Sequence, residues 1–160
     1  MGLEYARQLA ARGCELVIVS NRQEELQVAA DKVRADYGVS VVPCFLDLSN
    51  WDAADRLYDF CAQKGLKVDI LVLNAGFFFF KELQAEDYCL ASSMIGLHVN
   101  TTTRMCLLFG NDMKKAGKGN IIIMSCRQRE EKKFPSFDAL KEEIARNVEQ
   151  TREYFASHPE

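Results

Sequence analysis

Gly2-Leu3-Glu4-Tyr5-Ala6-Arg7-Gln8-Leu9-Ala10-Ala11-Arg12-Gly13 runs directly into Cys14-Glu15-Leu16-Val17-Ile18-Val19-Ser20. The first stretch repeats apolar side chains at helical spacing and ends on glycine, which closes helices by taking positive φ. The second is a nearly unbroken apolar run rich in β-branched residues, the pattern of a strand covered on both faces. A helix feeding such a strand through so short a connection belongs to a parallel sheet with helical crossovers.

The same alternation continues outward. Strands are expected at about 14–20, 40–46, 68–74 and 119–125, with helices between them. Pro43 cannot donate to a ladder, so the second strand is expected at a sheet edge. Ser49-Asn50-Trp51-Asp52 reads as a capping box opening a helix to about Lys64, closed by Gly65. The stretch of about 84–116 is expected to be mostly helical, with a break near Gly96. Phe77-Phe78-Phe79-Phe80 could line a pocket mouth, with core packing the expected role. The fold class is α/β, an incomplete doubly wound parallel sheet with an amphipathic helix at the C-terminal end.

Composition narrows the function. With 160 residues, 48% hydrophobic and 27% charged, the chain has the make-up of a soluble globular domain. A net charge of −3 gives no electrostatic reason to expect nucleic acid or an anionic membrane as partner. No apolar run is long enough to span a bilayer. Six cysteines without a Cys-x-x-Cys pair point to free thiols in a reducing cytoplasm. After Cys126 the pattern changes to the charged run 127–133. Then Pro135-Ser136 opens a helix with Phe137, Leu140, Ile144, Val148 and Phe155 on one stripe. The organisation expected is one α/β domain over 1–126 and a connector with helix over 127–160.

A set of ordered motifs carries the chemistry. Leu-x-x-Ala-x-x-Leu-Ala-x-x-Gly follows Gly2, Asp47-Leu48 follows the second strand, and Asn74-Ala75-Gly76 follows the third. His98-Val99-Asn100 lies in the long helical stretch, and Gly119-Asn120-Ile121-Ile122-Ile123-Met124-Ser125-Cys126 ends the alternating region. In this order the region 2–126 resembles the short-chain dehydrogenase/reductase family, whose Rossmann-like fold binds a nicotinamide dinucleotide at the strand ends. The resemblance implies cofactor contacts at Gly2, Ser20, Asn21, Arg22, Asp47, Leu48, Asn74, Ala75 and Gly76. It also implies catalytic positions at Asn100 and at Cys126, where the family has serine, and a small-molecule carbonyl or alcohol substrate. A dinucleotide site selecting NAD wants an acid at the tip of the first visible strand; Ser20-Asn21-Arg22 has none. With the resemblance, Arg22 implies an ancestral preference for NADP.

The sequence also departs from the family. The family's general acid is a Tyr with Lys four residues on, and none of Tyr5, Tyr37, Tyr58, Tyr88 or Tyr154 has that lysine. Cys126 is a poorer hydrogen-bond donor than serine. The family's first strand and glycine-rich loop are not among these residues, so the strands at 14–20 and 68–74 are expected to lack partners. Marginal stability and self-association through unpaired edges are the expectation. The chain then reads as a dehydrogenase fragment, inactive as it stands, alternatively as a non-catalytic binding module or half of a split enzyme. Separately, the stretch from Arg127 to Arg146 resembles the C-terminal end of bacterial riboflavin kinase/FAD synthetases, without their catalytic residues.

Overall fold

The computed structural model describes residues 2–79, 82 and 84–124. The chain divides after Met124 into two units, and the first holds every described residue. Cys126, the charged run and the helix expected from Pro135 lie outside the described residues.

The elements alternate as the sequence predicts. They are α1 (Gly2–Ala10), β1 (Leu16–Ser20), α2 (Gln23–Tyr37), β2 (Val41–Phe45), α3 (Ala53–Gln63), β3 (Ile70–Leu73), α4 (Tyr88–Ile95), α5 (Thr102–Ala116) and β4 (Asn120–Ile123). A short 3₁₀ turn, Ala85–Asp87, leads into α4, and a π turn, Gly96–Thr101, joins α4 to α5. Strands are shorter than expected by one or two residues at their ends, where chain direction changes. Gly38 and Gly117 close α2 and α5 in the left-handed conformation, at φ 67° and 69°.

One local expectation is corrected. The capping box at Ser49–Asp52 does not form: the Ser49 hydroxyl donates to Asp47 Oδ1 at 2.7 Å, and α3 begins at Ala53 without a side-chain cap from Asp52. The interruption near Gly96 takes the form of the π turn: α4 ends at Ile95, and the Gly96 backbone stays right-handed helical as the turn opens. A Cβ at Gly96 would lie 2.5 Å from the Ser49 carbonyl oxygen. The absence of a side chain therefore lets the helix press against that loop.

The strands form two separate parallel pairs, β1 with β2 and β3 with β4. Leu16 is level with Val41 and Ser20 with Phe45; Ile70 is level with Asn120 and Leu73 with Ile123. Pro43 lies in β2, which pairs on one side only, as a proline requires. No ladder joins β1 to β3 among the described residues, in line with the incomplete sheet expected.

Side chains alternate across the strands and bury two faces. Leu16 and Ile18 pack with Ala10, Ala30, Val33 and Val41 beneath α1 and α2. Val17, Val19, Leu71 and Leu73 meet the other cluster, built from Leu57 and Cys61 of α3 and Met105, Phe109 and Met113 of α5. Arg104 holds Asp55 at 2.7 Å and ties α5 to α3 at the surface. Within the described part of the phenylalanine run, Phe77–Phe79 are not core: Phe78 is 58% exposed, and neither Phe77 nor Phe79 belongs to a buried cluster; Phe80 lies outside the described residues.

Two substitutions test this packing by urea unfolding. Met105, 1% exposed, is expected to cost about 2–5 kcal/mol as Met105→Ala. Gly96→Ala raises helix propensity by about 1 kcal/mol yet is expected to destabilise by about 1–3 kcal/mol, because the clash with Ser49 prevails. A stabilised Gly96→Ala protein would show that the helix does not bear on that loop.

Candidate functional site

The loops after β2 and β3 meet at the π turn. Thr101, 2% exposed, donates its hydroxyl to the Leu48 carbonyl at 2.9 Å. Asn100 Nδ2 donates to the Trp51 carbonyl at 2.9 Å. His98 Nε2 is 3.0 Å from the Phe77 carbonyl oxygen. One turn of helix thus grips the loop after β2 and the loop after β3, which puts both on one rim. A π turn widens the spacing of side chains, so residues two or three apart reach different loops.

On the β1 side of this rim, Ser20-Asn21-Arg22 folds back on itself: the Arg22 N–H donates to Ser20 Oγ at 3.1 Å. Asn21 donates a side-chain hydrogen bond to Asp47, which brings the first two loops together. Asp47 Oδ1 also accepts the Ser49 N–H at 2.9 Å. These donors, the Ser49 backbone first, hold the Asp47 carboxyl below the usual aspartate range. Arg22 is exposed and pairs with Glu25 at 3.0 Å. Such a pair contributes little in solvent and leaves the guanidinium free to exchange partners. The Leu48 side chain packs on the core under the rim.

On the β3 side, Asn74, Ala75 and Gly76 follow the strand directly. A Cβ at Gly2 would lie 3.0 Å from Asn74 Nδ2, so the start of α1 rests on this loop. Asn74 Oδ1 is buried without a hydrogen-bond partner. Gly76 faces His98, whose Cε1 would be 2.8 Å from an added Cβ. Phe78 stacks on the same imidazole with ring centroids 4.8 Å apart. His98 had no role in the sequence reading; its only signal was its place two residues before Asn100.

Of the residues expected to form one site, Gly2, Asn74 and Gly76 gather on the β3 side and Ser20, Asn21, Arg22 and Asp47 on the β1 side. Ala75 is exposed between them along the chain. The Asn100 amide is engaged by Trp51, and Cys126 lies outside the described residues. The rim combines amide and hydroxyl groups at Asn21, Ser20 and Ser49, the exposed Asp47 carboxylate and the exposed Arg22 guanidinium. Among the described residues there is no cluster of three metal-ligating side chains and no helix long and apolar enough to cross a membrane.

Asp47 makes the rim sensitive to acid. Because its pKa is lowered on folding, its stabilising effect is present above the unfolded value and is lost as pH falls through the folded one. Below the ordinary value of 3.8 the native chain is expected to lose stability more steeply than an Asp47→Asn variant. Unfolding curves at stepped pH check this; parallel slopes would show that Asp47 makes no such contribution.

The profile of the short chain dehydrogenase family matches residues 1–139. The chain is 28% identical over 131 residues to the very-long-chain 3-oxoacyl-CoA reductase-A of Danio rerio, covering 78% of this chain and 40% of that one. It is 25% identical to the 7beta-hydroxysteroid dehydrogenase of Clostridium sardiniense, covering 78% of this chain and 47% of the relative. The chain therefore spans less than half the length of these relatives. The alcohol dehydrogenase of the archaeon Thermococcus sibiricus, solved with 5-hydroxy-NADP, superposes with a TM-score of 0.65 at 26% identity, over 76% of this chain and 52% of that one. Motif order, paired parallel strands and profile agree, and the chain belongs to the short chain dehydrogenase family.

Proposed function

We propose that this chain is the nucleotide-binding part of an NADP-dependent oxidoreductase acting on a small carbonyl or alcohol compound, and that alone it catalyses no hydride transfer. The observation that carries the cofactor reading is the acid-free tip of β1, where Arg22 stands exposed beside Ser20 and Asn21. The ribose 2′-phosphate of NADP would take the Arg22 guanidinium from Glu25, and Asp47, Ala75 and Gly76 would line the adenosine and ribose. The cofactor supplies the hydride; this chain's residues bind and orient it. The Danio and Clostridium relatives, named as reductase and dehydrogenase, support the reaction class.

The absence of any Tyr-x-x-x-Lys pair from the 160 residues supports the second part, since the developing oxyanion has no positioned acid. Asn100, held on Trp51, and Cys126 do not replace that acid. A second reading, half of a split enzyme or a binding module, is favoured by the unpaired sides of β1 and β3; self-association through these edges belongs to the same proposal. Buried free thiols at Cys44 and Cys61 support residence in the reducing cytoplasm. The proposed division into a domain over 1–126 and a connector with helix over 127–160, and the riboflavin kinase-like character of that tail, go with this reading.

Calorimetric titration tests the cofactor assignment. NADPH is expected to bind more tightly than NADH, and Arg22→Ala to weaken NADPH by about tenfold, the worth of one charge-assisted bond, with NADH unchanged. Equal loss for both would remove Arg22 from phosphate recognition. NADPH consumption with a panel of aldehydes and ketones is expected to stay at background; turnover would reject the inactive reading.

A further inference from the structure

The loop that follows Asn74 is tied down by a single side chain. Among the described residues, His98 makes the one hydrogen bond that reaches residues 75–79, from Nε2 to the Phe77 carbonyl oxygen at 3.0 Å. A carbonyl oxygen only accepts, so Nε2 carries the proton. The same ring touches the residues on either side. A Cβ at Gly76 would come within 2.8 Å of its Cε1, and the Phe78 ring stacks on it at 4.8 Å with 29° between the planes. Three consecutive residues thus rest on one imidazole. The base beneath that imidazole is firm: Gly96, Leu97 and Thr101 of the π turn are buried, and Thr101 is bonded to the Leu48 carbonyl. Ala75, Gly76 and Phe78 are exposed. The buried turn therefore sets the exposed loop. Because the trans peptide unit is planar, fixing the Phe77 carbonyl also fixes the Phe78 N–H on the opposite side.

We propose that His98 is a positioning residue for the cofactor: its Nε2–H bond to the Phe77 carbonyl holds residues 76–78 in the backbone path along which Gly76 lies against the ribose. The inference rests on the reading of Gly76 as part of a dinucleotide site, and it adds the residue that prepares that loop. A loop left unheld has to be ordered by the ligand, and the ordering is subtracted from affinity. Asn100 and Thr101 of the same turn do not serve, because the Trp51 and Leu48 carbonyls engage them. The donor carries the role rather than the ring. A hydrogen bond is directional and fixes a peptide plane, whereas the stack on Phe78 constrains only a side chain.

Two variants of the full 160-residue chain separate donor from ring. His98→Gln keeps an N–H donor at nearly the same reach and removes the ring; His98→Phe keeps an aromatic ring and removes the donor. Backbone amide relaxation by NMR is the first readout and needs no cofactor. Gly76, Phe77 and Phe78 are expected to show order parameters of about 0.85 in the native chain and in His98→Gln, and below about 0.6 in His98→Phe. Calorimetric titration with NADPH is the second. His98→Phe is expected to weaken binding about tenfold and His98→Gln to stay within about twofold of the native chain. Imidazole nitrogen NMR on the native chain at about pH 8, where histidine is neutral, is expected to find His98 protonated at Nε2. An ordered loop in His98→Phe, equal loss in both variants, a ring protonated at Nδ1, or a loosened loop with undiminished NADPH affinity would each overturn the proposal. A native chain that binds no NADPH, yet loses loop order in His98→Phe, removes the cofactor reading and leaves His98 as the residue that sets the loop.

Discussion

The two half-sheets are held in one body by side chains rather than by a backbone ladder. Met105, Phe109 and Met113 of α5, with Leu57 and Cys61 of α3, form the layer on which β1 and β3 both rest. Apolar burial is non-directional and tolerates a gap in the strand order. A backbone ladder does not, since it forms only with another strand at one spacing. The core therefore keeps β1 and β3 in place without letting them pair. The chain keeps the crossovers of a doubly wound fold although its sheet is split.

The second constraint is the π turn at Gly96–Thr101. Its extra width sends His98, Asn100 and Thr101 to the Phe77, Trp51 and Leu48 carbonyls. Gly96 allows the approach, since any side chain there meets the Ser49 carbonyl. The rim formed by the loops after β2 and β3 is thus shaped from behind by one helical turn. Helical propensity does not account for this geometry, because no pairing of residues within the turn requires it. The fit against two loops requires it.

Much of the fold was legible in residue order. Short runs of leucine, valine and isoleucine at Leu16–Ser20 and Ile70–Leu73, each reached from a helix, admit little besides a parallel arrangement, and Pro43 placed β2 at an edge. The motif residues were legible too, because Asn74-Ala75-Gly76 and Asp47-Leu48 fall directly after strands. Local reading failed where a side chain had two possible partners. Ser49 could cap α3 or bond Asp47, and the closer carboxylate prevailed. Phe77–Phe79 looked like core by hydrophobicity, yet they lie on a loop, and Phe78 finds an imidazole to stack on.

Alternating helix and strand, the dinucleotide-type loops, the missing acid at the tip of β1 and the missing Tyr-x-x-x-Lys pair are properties of the amino-acid order alone. They depend on residue type and spacing along the chain. Tertiary structure decided that His98 rather than Asn100 meets the Gly76 loop, and that Asn74 keeps a buried oxygen without a donor. Each of these depends on which distant backbone groups come within about 3 Å of one another. The packing of α1, α3 and α5 around the divided sheet sets those distances.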